Sequence, residues 1–298
     1  MVSITGEPPG TAAARRGGRT RSADWPAAVP LLAFTALAFG IPAVALLLGA
    51  FTVRDPQTRA SAFSTANLSE SLQGNYLNTL VSSVQLSAVV ALLGAACGAF
   101  LAQAVVASRF RALRESVLTA SGVLANFGGV PLAFTWVATL GNSGVVTQAL
   151  GLDSHGWSLY TFWGLVLVYL YFSIPLMVLV MVPAMDGLKA QWREAASNSG
   201  ATAWQYWRHV GVPVLAPALL GGTVLLFGGA FAAYATARAM VGSTVPLVTL
   251  QIADALTGDV LIGHENIALA LSLDMIIVAG LVMAVYLPLQ RRSSRWLR

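Results

Sequence analysis

Residues 159–185 read LYTFWGLVLVYLYFSIPLMVLVMVPAM and contain no Lys, Arg, Asp or Glu. A helix that crosses the hydrocarbon core of a bilayer needs about 20 consecutive apolar residues. The stretch is long enough, so it indicates a membrane-spanning helix. The whole chain agrees, because 56% of its 298 residues are hydrophobic and 10% are charged, whereas soluble domains carry about 25% charged residues. Composition therefore predicts an integral membrane protein.

Five further runs are free or nearly free of charge, which makes six predicted spans in total. In hydrocarbon every backbone amide must find a partner inside its own segment, so long apolar runs form helices unless a barrel closes. Barrel strands would be segments of about ten alternating residues, and none of these runs alternates. We therefore predict an all-α integral membrane fold with six transmembrane helices. The further runs are Pro26–Thr52, Leu77–Ser108, Val117–Leu140, Val214–Ala237 and Ile267–Gln290.

The two ends of the chain are basic and poor in apolar residues. Residues 1–24 have too little apolar content to form a core, so we predict a flexible tail. The first transmembrane helix is expected within residues 25–60, where the apolar run exceeds the core of a cleavable signal peptide. Residues 291–298 are predicted to form a second basic tail.

The distribution of basic residues predicts the orientation of the spans. Lys and Arg accumulate on the cytoplasmic side of membrane proteins. With the N-terminus inside, all of the 17 Lys and Arg residues except Arg54, Arg59 and Arg238 fall in cytoplasmic segments. Both termini are therefore predicted to be cytoplasmic. The largest charged segment between spans, residues 186–213, is placed in the cytoplasm by the same count.

That segment contains a spaced motif. Three residues separate Glu194-Ala195-Ala196 from Gly200. Nine more separate Gly200 from Val210-Gly211-Val212-Pro213. Gly200 is suited to end a helix, because it adopts a left-handed backbone without a Cβ penalty. Small residues around the turn let another protein approach the backbone, and Glu194 offers a charge to a complementary partner.

The motif resembles the cytoplasmic loop of permeases from binding-protein-dependent ABC importers, which have the MetI-like transmembrane fold. The resemblance extends over residues 70–290, and Val210 and Val212 keep the aliphatic character of the Ile and Leu that are commoner in the family. It implies that the loop 186–213 couples to a separate cytoplasmic ATPase. The alternative is an amphipathic loop anchored at the membrane surface by tryptophans. The coupling residues implied by the resemblance are Glu194, Ala195, Ala196, Gly200 and Pro213.

The family also implies a function and a set of partners. Such a chain forms half of a translocation pathway in the prokaryotic cell membrane. It works with a second permease subunit, as a heterodimer or homodimer, with a pair of ATPases and with an extracytoplasmic solute-binding protein. Residues 126–132 (NFGGVPL) and 231–236 (FAAYAT) look most like the polyamine, ferric iron, thiamine and phosphonate branch. A polyamine is the first expectation for the solute.

Polar residues and helix breaks inside the predicted spans are the candidates for lining the pathway. Irregular backbone at membrane depth is tolerated only where protein buries it or water lines it. Helix packing is the alternative for the fourth span, and an intersubunit hydrogen bond is the alternative for Asp274. The candidates are Asn126, Tyr169, Tyr171, Ser173, Tyr234, Thr236 and Asp274.

Several function classes are excluded by what the sequence lacks. Lys189 is the only lysine and no phosphate-binding loop surrounds it, so ATP and its hydrolysis are expected on a partner and no catalytic residue or cofactor is predicted. His155 and His264 stand without metal-ligand spacing, so no metal site is predicted. The basic residues border apolar runs, which argues against nucleic acid. A stand-alone ion-driven carrier remains the alternative from another class, although it would need more intramembrane charges than Asp274.

Overall fold

The computed structural model describes residues 25–54, 61–257 and 266–294. The predicted tail 1–24 and the end of the basic tail, 295–298, lie outside the described residues. Two short strands, β1 (Thr52–Arg54) and β2 (Ser61–Phe63), pair antiparallel. The α-helices are α1 (Trp25–Ala50), α2 (Ala66–Ser71), α3 (Gly74–Ala107), α4 (Arg111–Asn126), α5 (Gly129–Leu140), α6 (Val145–Ala149), α7 (Phe162–Asp186), α8 (Ala190–Asn198), α9 (Ala203–Tyr206), α10 (Val212–Ala232), α11 (Ala235–Met240), α12 (Val248–Thr257) and α13 (Ile267–Ser294).

The all-α membrane fold predicted from the apolar runs is confirmed. In the described part of the chain, 5 helical segments are long and apolar enough to cross a membrane, and a bent pair of helices raises the number to 6. The five are α1, α3, α7, the continuous segment Ala203–Ala232 that contains α9 and α10, and α13. The bent pair is α4 with the segment that begins with α5.

The third predicted span, residues 117–140, is not one straight helix. The helix α4 ends at Asn126, α5 begins at Gly129, and the two segments are bent by 102°. Gly129 has a φ of 73°, which a residue with a Cβ rarely adopts. Pro131 then withholds the amide that a continuous helix would bond to an upstream carbonyl. The sequence predicted a single span over residues 117–140. In the structure, the residues from Asn126 to Pro131 form the end of one helix and the start of another.

The first helix is shorter than its predicted segment, residues 25–60. It ends at Ala50, and the chain then enters the hairpin of β1 and β2. Residues 25–45 belong to one compact unit, and the described residues from Leu46 onward belong to the other. Described side chains of this helix are apolar except Thr35 and mostly exposed, as expected for a helix whose surroundings are as apolar as itself.

Close packing of three spans forms the centre of the larger unit. A Cβ built on Gly98 of α3 would lie 2.5 Å from the Met177 Cβ and 2.9 Å from the Ile174 carbonyl oxygen, both on α7. On α10, a Cβ on Gly222 would lie 2.5 Å from the Met177 Sδ. In membranes such small residues let helix backbones approach closely, because van der Waals contact drives the association. Met177 is thus held between α3 and α10.

The helix α13 completes this core at its N-terminal half. Ile267 and Leu271 are fully buried there. A polar contact ties the same end of α13 to α2, because the Thr52 carbonyl oxygen accepts hydrogen bonds from Asn67 Nδ2, at 3.0 Å, and from Asn266 Nδ2. The start of α13, the helix α2 and the strand β1 therefore meet at one backbone carbonyl.

Gly98→Ala is expected to weaken the contact between α3 and α7, since the new methyl group meets backbone as well as side chain. Overpacking of this kind costs about 1–3 kcal/mol of unfolding free energy. The matched control is Gly228→Ala on α10, where a Cβ has nothing within 4 Å and helix propensity favours alanine. The measurement is thermal unfolding of both variants in detergent. Equal melting temperatures for the two variants would contradict the packing described.

Candidate functional site

The helix α8 carries the Glu-Ala-Ala part of the loop motif. It has no buried residues, and the side chains of Glu194 and Ala195 are exposed while Ala196 is partly covered. Three residues separate α8 from the end of α7 at Asp186, so a turn stands between the two helices. A short helix that buries none of its residues in the described part of the chain leaves most of its surface open to a partner.

Gly200 ends α8 as predicted. Its φ is 75°, in the left-handed region. The amide of Gly200 donates to the Ser197 carbonyl oxygen at 3.0 Å, and the amide of Ala201 donates to the Ala196 carbonyl oxygen at 3.0 Å. This pair of bonds is the Schellman arrangement, which satisfies carbonyl groups that the end of a helix leaves free. The turn is therefore defined by its backbone, and its small side chains stay free for contact.

The chain then enters a helix that is capped and continuous. The Thr202 hydroxyl accepts from the Gln205 amide at 3.3 Å, and Gln205 Oε1 accepts from the Thr202 amide at 2.7 Å, which forms a capping box. A π-helical turn, Trp207–Gly211, joins α9 to α10. Pro213, two residues after Gly211, has no amide hydrogen to donate. This fits the change of hydrogen-bond pattern at this point. The motif thus ends at the start of a span.

An ion pair fixes which ends of the spans lie together. Arg114, near the start of α4, bonds through its guanidinium to the Asp186 carboxylate at the end of α7. The predicted cytoplasmic segments around residues 109–114 and 186–213 therefore meet at one end of the structure. Partly exposed ion pairs of this kind add little stability. The contact matters here because it shows that the start of α4 and the end of α7 lie side by side.

A second candidate region lies where two spans are interrupted. The break between α4 and α5 faces the break between α10 and α11 across a cleft of 250 Å³. Asn126 and Tyr234 line this cleft with exposed side chains, and Thr236 lines it while being only 3% exposed. These three candidates, which the sequence placed in different spans, are brought together by the fold.

The two tyrosines of α7 have different surroundings. Tyr171 is partly buried and forms edge-to-face contacts with Phe127 and Trp136, with ring centroids 6.4 and 6.2 Å apart. Tyr169 is fully buried, and its hydroxyl donates to the Ala233 carbonyl oxygen at 3.0 Å. Tyr171 thus belongs to an aromatic cluster at the α4–α5 break. Tyr169 instead supports the backbone behind the cleft.

Ser173 and Asp274 lie away from the cleft. Ser173 is fully buried, and a Cβ built on Gly94 of α3 would lie 3.1 Å from its Cβ, so it faces the helix contact. Asp274 is 3% exposed and lies beside the Ser71 side chain of α2, whose hydroxyl donates to the Leu68 carbonyl oxygen at 2.9 Å. The Ser173 hydroxyl and Asp274 Oδ2 have no hydrogen-bond partner among the described atoms. Ser173 therefore fits the packing alternative, and Asp274 is buried within its own chain.

Sequence reasoning missed Ala233 and Phe172, which also line the cleft. Ala233 matters through its carbonyl oxygen, so no side-chain chemistry marked it. The adjacent pair Gly128-Gly129 was the available signal for the bend. A larger, apolar cleft of 490 Å³ was also missed; it lies between α3, α7 and the segment Trp204–Leu219, and it contains none of the pathway candidates.

No family model matches the chain. The crystal structure of a bacterial ABC transporter involved in the import of the polysaccharide alginate superposes with a TM-score of 0.68 at 18% identity, over 91% of this chain and 96% of that one. The molybdenum transport system permease protein ModB of Mycobacterium tuberculosis is 28% identical over 254 residues, which are 82% of this chain and 88% of ModB.

Other relatives match over shorter stretches. The sulfate transport system permease protein CysT of Escherichia coli is 38% identical over 68 residues, 23% of this chain. The thiamine transport system permease protein ThiP of Escherichia coli is 28% identical over 149 residues, 50% of this chain. The aligned stretches span about a quarter of these two relatives, 24% of CysT and 26% of ThiP.

These likenesses confirm the resemblance to permeases of ABC importers with the MetI-like fold. The chain is a multi-pass membrane protein with that fold. The relatives named above carry sulfate, molybdenum and thiamine in their names, so the expected branch is supported through thiamine. The expectation of a polyamine has no support from them.

Asp274→Asn is expected to leave the unfolding free energy nearly unchanged, because the amide keeps the volume and the polar character of the buried side chain. Asp274→Leu places a larger apolar side chain at the same buried position, and overpacking of this kind costs about 1–3 kcal/mol of unfolding free energy. Thermal unfolding of both variants is the measurement. A large loss for the Asn variant with a stable Leu variant would contradict the packing role.

Proposed function

We propose that this chain is the permease subunit of an ABC importer, and that α8 is the surface on which a cytoplasmic ATPase docks. The observation that carries the proposal is the exposed helix α8, which bears Glu194, Ala195 and Ala196 and has no buried residue. The Gly200 turn connects it to the span that leads to the cleft.

The connection between docking surface and cleft is mechanical. From Ala203 to Ala232 the helix is continuous over 30 residues, about 45 Å at 1.5 Å per residue. A displacement of α8 is therefore carried along α9 and α10 to the break at Ala233 and Tyr234. Rigid helices that move as bodies are a common means of converting a small shift into a change of access. Alternating access then follows from closure of two ATPases beneath two permease subunits.

The proposed assembly contains a second permease subunit, a pair of ATPases and an extracytoplasmic solute-binding protein. Support for the binding protein comes from the alginate transporter, which has been crystallised with a periplasmic protein bound to an alginate pentasaccharide. ATP is bound by the ATPases, since this sequence has no phosphate-binding loop.

For the solute we propose a small oxyanion such as sulfate or molybdate. The CysT and ModB relatives support this class by their names. The described lining of the cleft between the broken spans contains amide, hydroxyl and backbone groups and no carboxylate. Asp274, the only carboxylate among the pathway candidates, lies elsewhere. A bound anion would therefore meet no fixed negative charge among these residues.

Thiamine is the second candidate, and a separate observation favours it. Phe127, Tyr171 and Trp136 form an aromatic cluster at the α4–α5 break. Aromatic faces attract organic cations, and thiamine is both cationic and aromatic. The ThiP relative is consistent with this candidate.

Glu194→Lys is expected to reduce uptake and solute-stimulated ATP hydrolysis by about tenfold or more, while the subunit still inserts. The lysine would repel the positively charged group of the ATPase that the carboxylate is proposed to bind. A loss of 1.4 kcal/mol of binding free energy already lowers the affinity about tenfold. The control is Glu115→Lys, another exposed carboxylate, which pairs only with Arg111 one turn away among the described side chains. Uptake of radiolabelled sulfate, molybdate and thiamine is measured in a deletion strain carrying each variant. Wild-type uptake with Glu194→Lys would remove the docking role.

The proposed orientation is tested by labelling. Cysteines are introduced singly at Ser69 of α2 and at Ser199 beside the Gly200 turn, both exposed positions, with Cys97 replaced by Ser. A membrane-impermeant thiol reagent is expected to label position 69 in intact cells and position 199 only after permeabilisation. Labelling of position 199 from outside would reverse the orientation.

A further inference from the structure

The two broken spans are joined through one side chain. The hydroxyl of Thr236, at the start of α11, accepts a hydrogen bond from the Gly129 amide at 3.0 Å and donates to the Gly129 carbonyl oxygen at 3.2 Å. These residues are 107 positions apart in the sequence. One hydroxyl therefore satisfies both backbone groups of the residue that begins α5.

Other threonines in these spans act differently. The hydroxyls of Thr135 on α5 and Thr223 on α10 donate to the carbonyl oxygens of Pro131 and Leu219, four residues earlier in their own helices, at 2.9 and 2.8 Å. Such local bonds do not connect one helix to another. The contact of Thr236 is a tertiary one, and Thr236 itself is only 3% exposed.

The opposite side of the same break is held by α7. The Ala233 carbonyl oxygen, freed where α10 ends, accepts from the buried Tyr169 hydroxyl at 3.0 Å. The segment between α10 and α11 is thus fixed to α7 through Ala233 and to α5 through Thr236. Between these two attachment points lies Tyr234, whose side chain is 40% exposed and lines the cleft opposite Asn126.

We propose that Thr236 is a positioning residue that acts as a latch: its two hydrogen bonds to Gly129 hold the cleft between Asn126 and Tyr234 at its present width. Release of these bonds lets α11 separate from α5 while Tyr169 keeps the other side attached to α7. The inference rests on the proposed function, because an importer needs a gate in its pathway and the latch is assigned to that gate. The latch acts through the backbone of Gly129, so its effect is on the population of the open state.

The size of the effect follows from the strength of such bonds. Interhelical hydrogen bonds measured in membrane proteins correspond to a factor of about 3, and at most about 20, in an equilibrium constant. A latch of this strength is reversible, and loss of the hydroxyl is expected to shift the ratio of open to closed cleft by a factor in that range.

The test measures the cleft itself. Cysteines replace Asn126 and Tyr234, with Cys97→Ser, and cross-linking rates are compared for short and long bifunctional thiol reagents in the full complex. Thr236→Val keeps the shape of the side chain and removes the hydroxyl, so short-reagent cross-linking is expected to fall about 3- to 20-fold relative to the long reagent. Thr236→Ser is expected to keep the wild-type ratio, and Thr223→Val is the matched control without a tertiary bond.

A structural role alone would lower the yield of folded protein without changing this ratio. If Thr236→Val folds poorly, Thr236→Ala removes the same hydroxyl in a smaller side chain and is read in the same way. An unchanged cross-linking ratio in the folded Val or Ala variant overturns the latch. So does a shift of equal size in Thr223→Val.

The same variants separate the latch from the proposed function. Basal ATP hydrolysis without solute is expected to rise in Thr236→Val and to be normal in Thr236→Ser. If the cross-linking ratio shifts while Glu194→Lys leaves uptake intact, the latch stands and the docking role of α8 fails. If Glu194→Lys abolishes uptake while the ratio stays fixed, the docking role stands and the latch fails.

Discussion

Backbone polar groups at membrane depth must be satisfied inside the protein, and this constraint governs the arrangement of the chain. Two spans are interrupted, one after Asn126 and one after Ala232. The groups that would be left free are taken up by side chains from elsewhere in the fold: Thr236 serves Gly129, and Tyr169 serves Ala233. Because water cannot substitute for these partners in hydrocarbon, the two breaks are held facing each other. The cleft exists because the irregular backbone has to be stabilised there.

The rigid frame around the cleft depends on a different interaction. Glycines at positions 98 and 222 allow α3, α7 and α10 to meet around Met177. Without a hydrophobic driving force between helices in lipid, close contact of this kind supplies much of the association. The frame makes α7 a fixed reference for the movable segment between α10 and α11. Ser173, which resembled a pathway residue in the sequence, belongs to this frame.

The loop 186–213 and the cleft are parts of one continuous path. The loop offers an exposed helix, a backbone-defined turn at Gly200 and then a single helix that runs to the second break. The π-helical turn before Pro213 is the irregular point in that helix, and Trp207 packs over Gly211 within it. In the proposed function a docked ATPase acts on the cleft through this path, and the proposed latch lies at its far end.

The sequence by itself determined the membrane class, the all-α fold, the position of the loop and the helix stop at Gly200, because each depends on local composition or on one backbone conformation. It also supplied the three polar side chains that line the cleft, Asn126, Tyr234 and Thr236. Only the tertiary structure decided that the third span is bent by 102°, that these three residues share one cleft, and that Asp274 lies with Ser71 on another side. Those outcomes depend on which distant backbone groups find a partner. A pattern along one segment does not contain that information, since the Thr236 and Gly129 contact joins residues 107 positions apart.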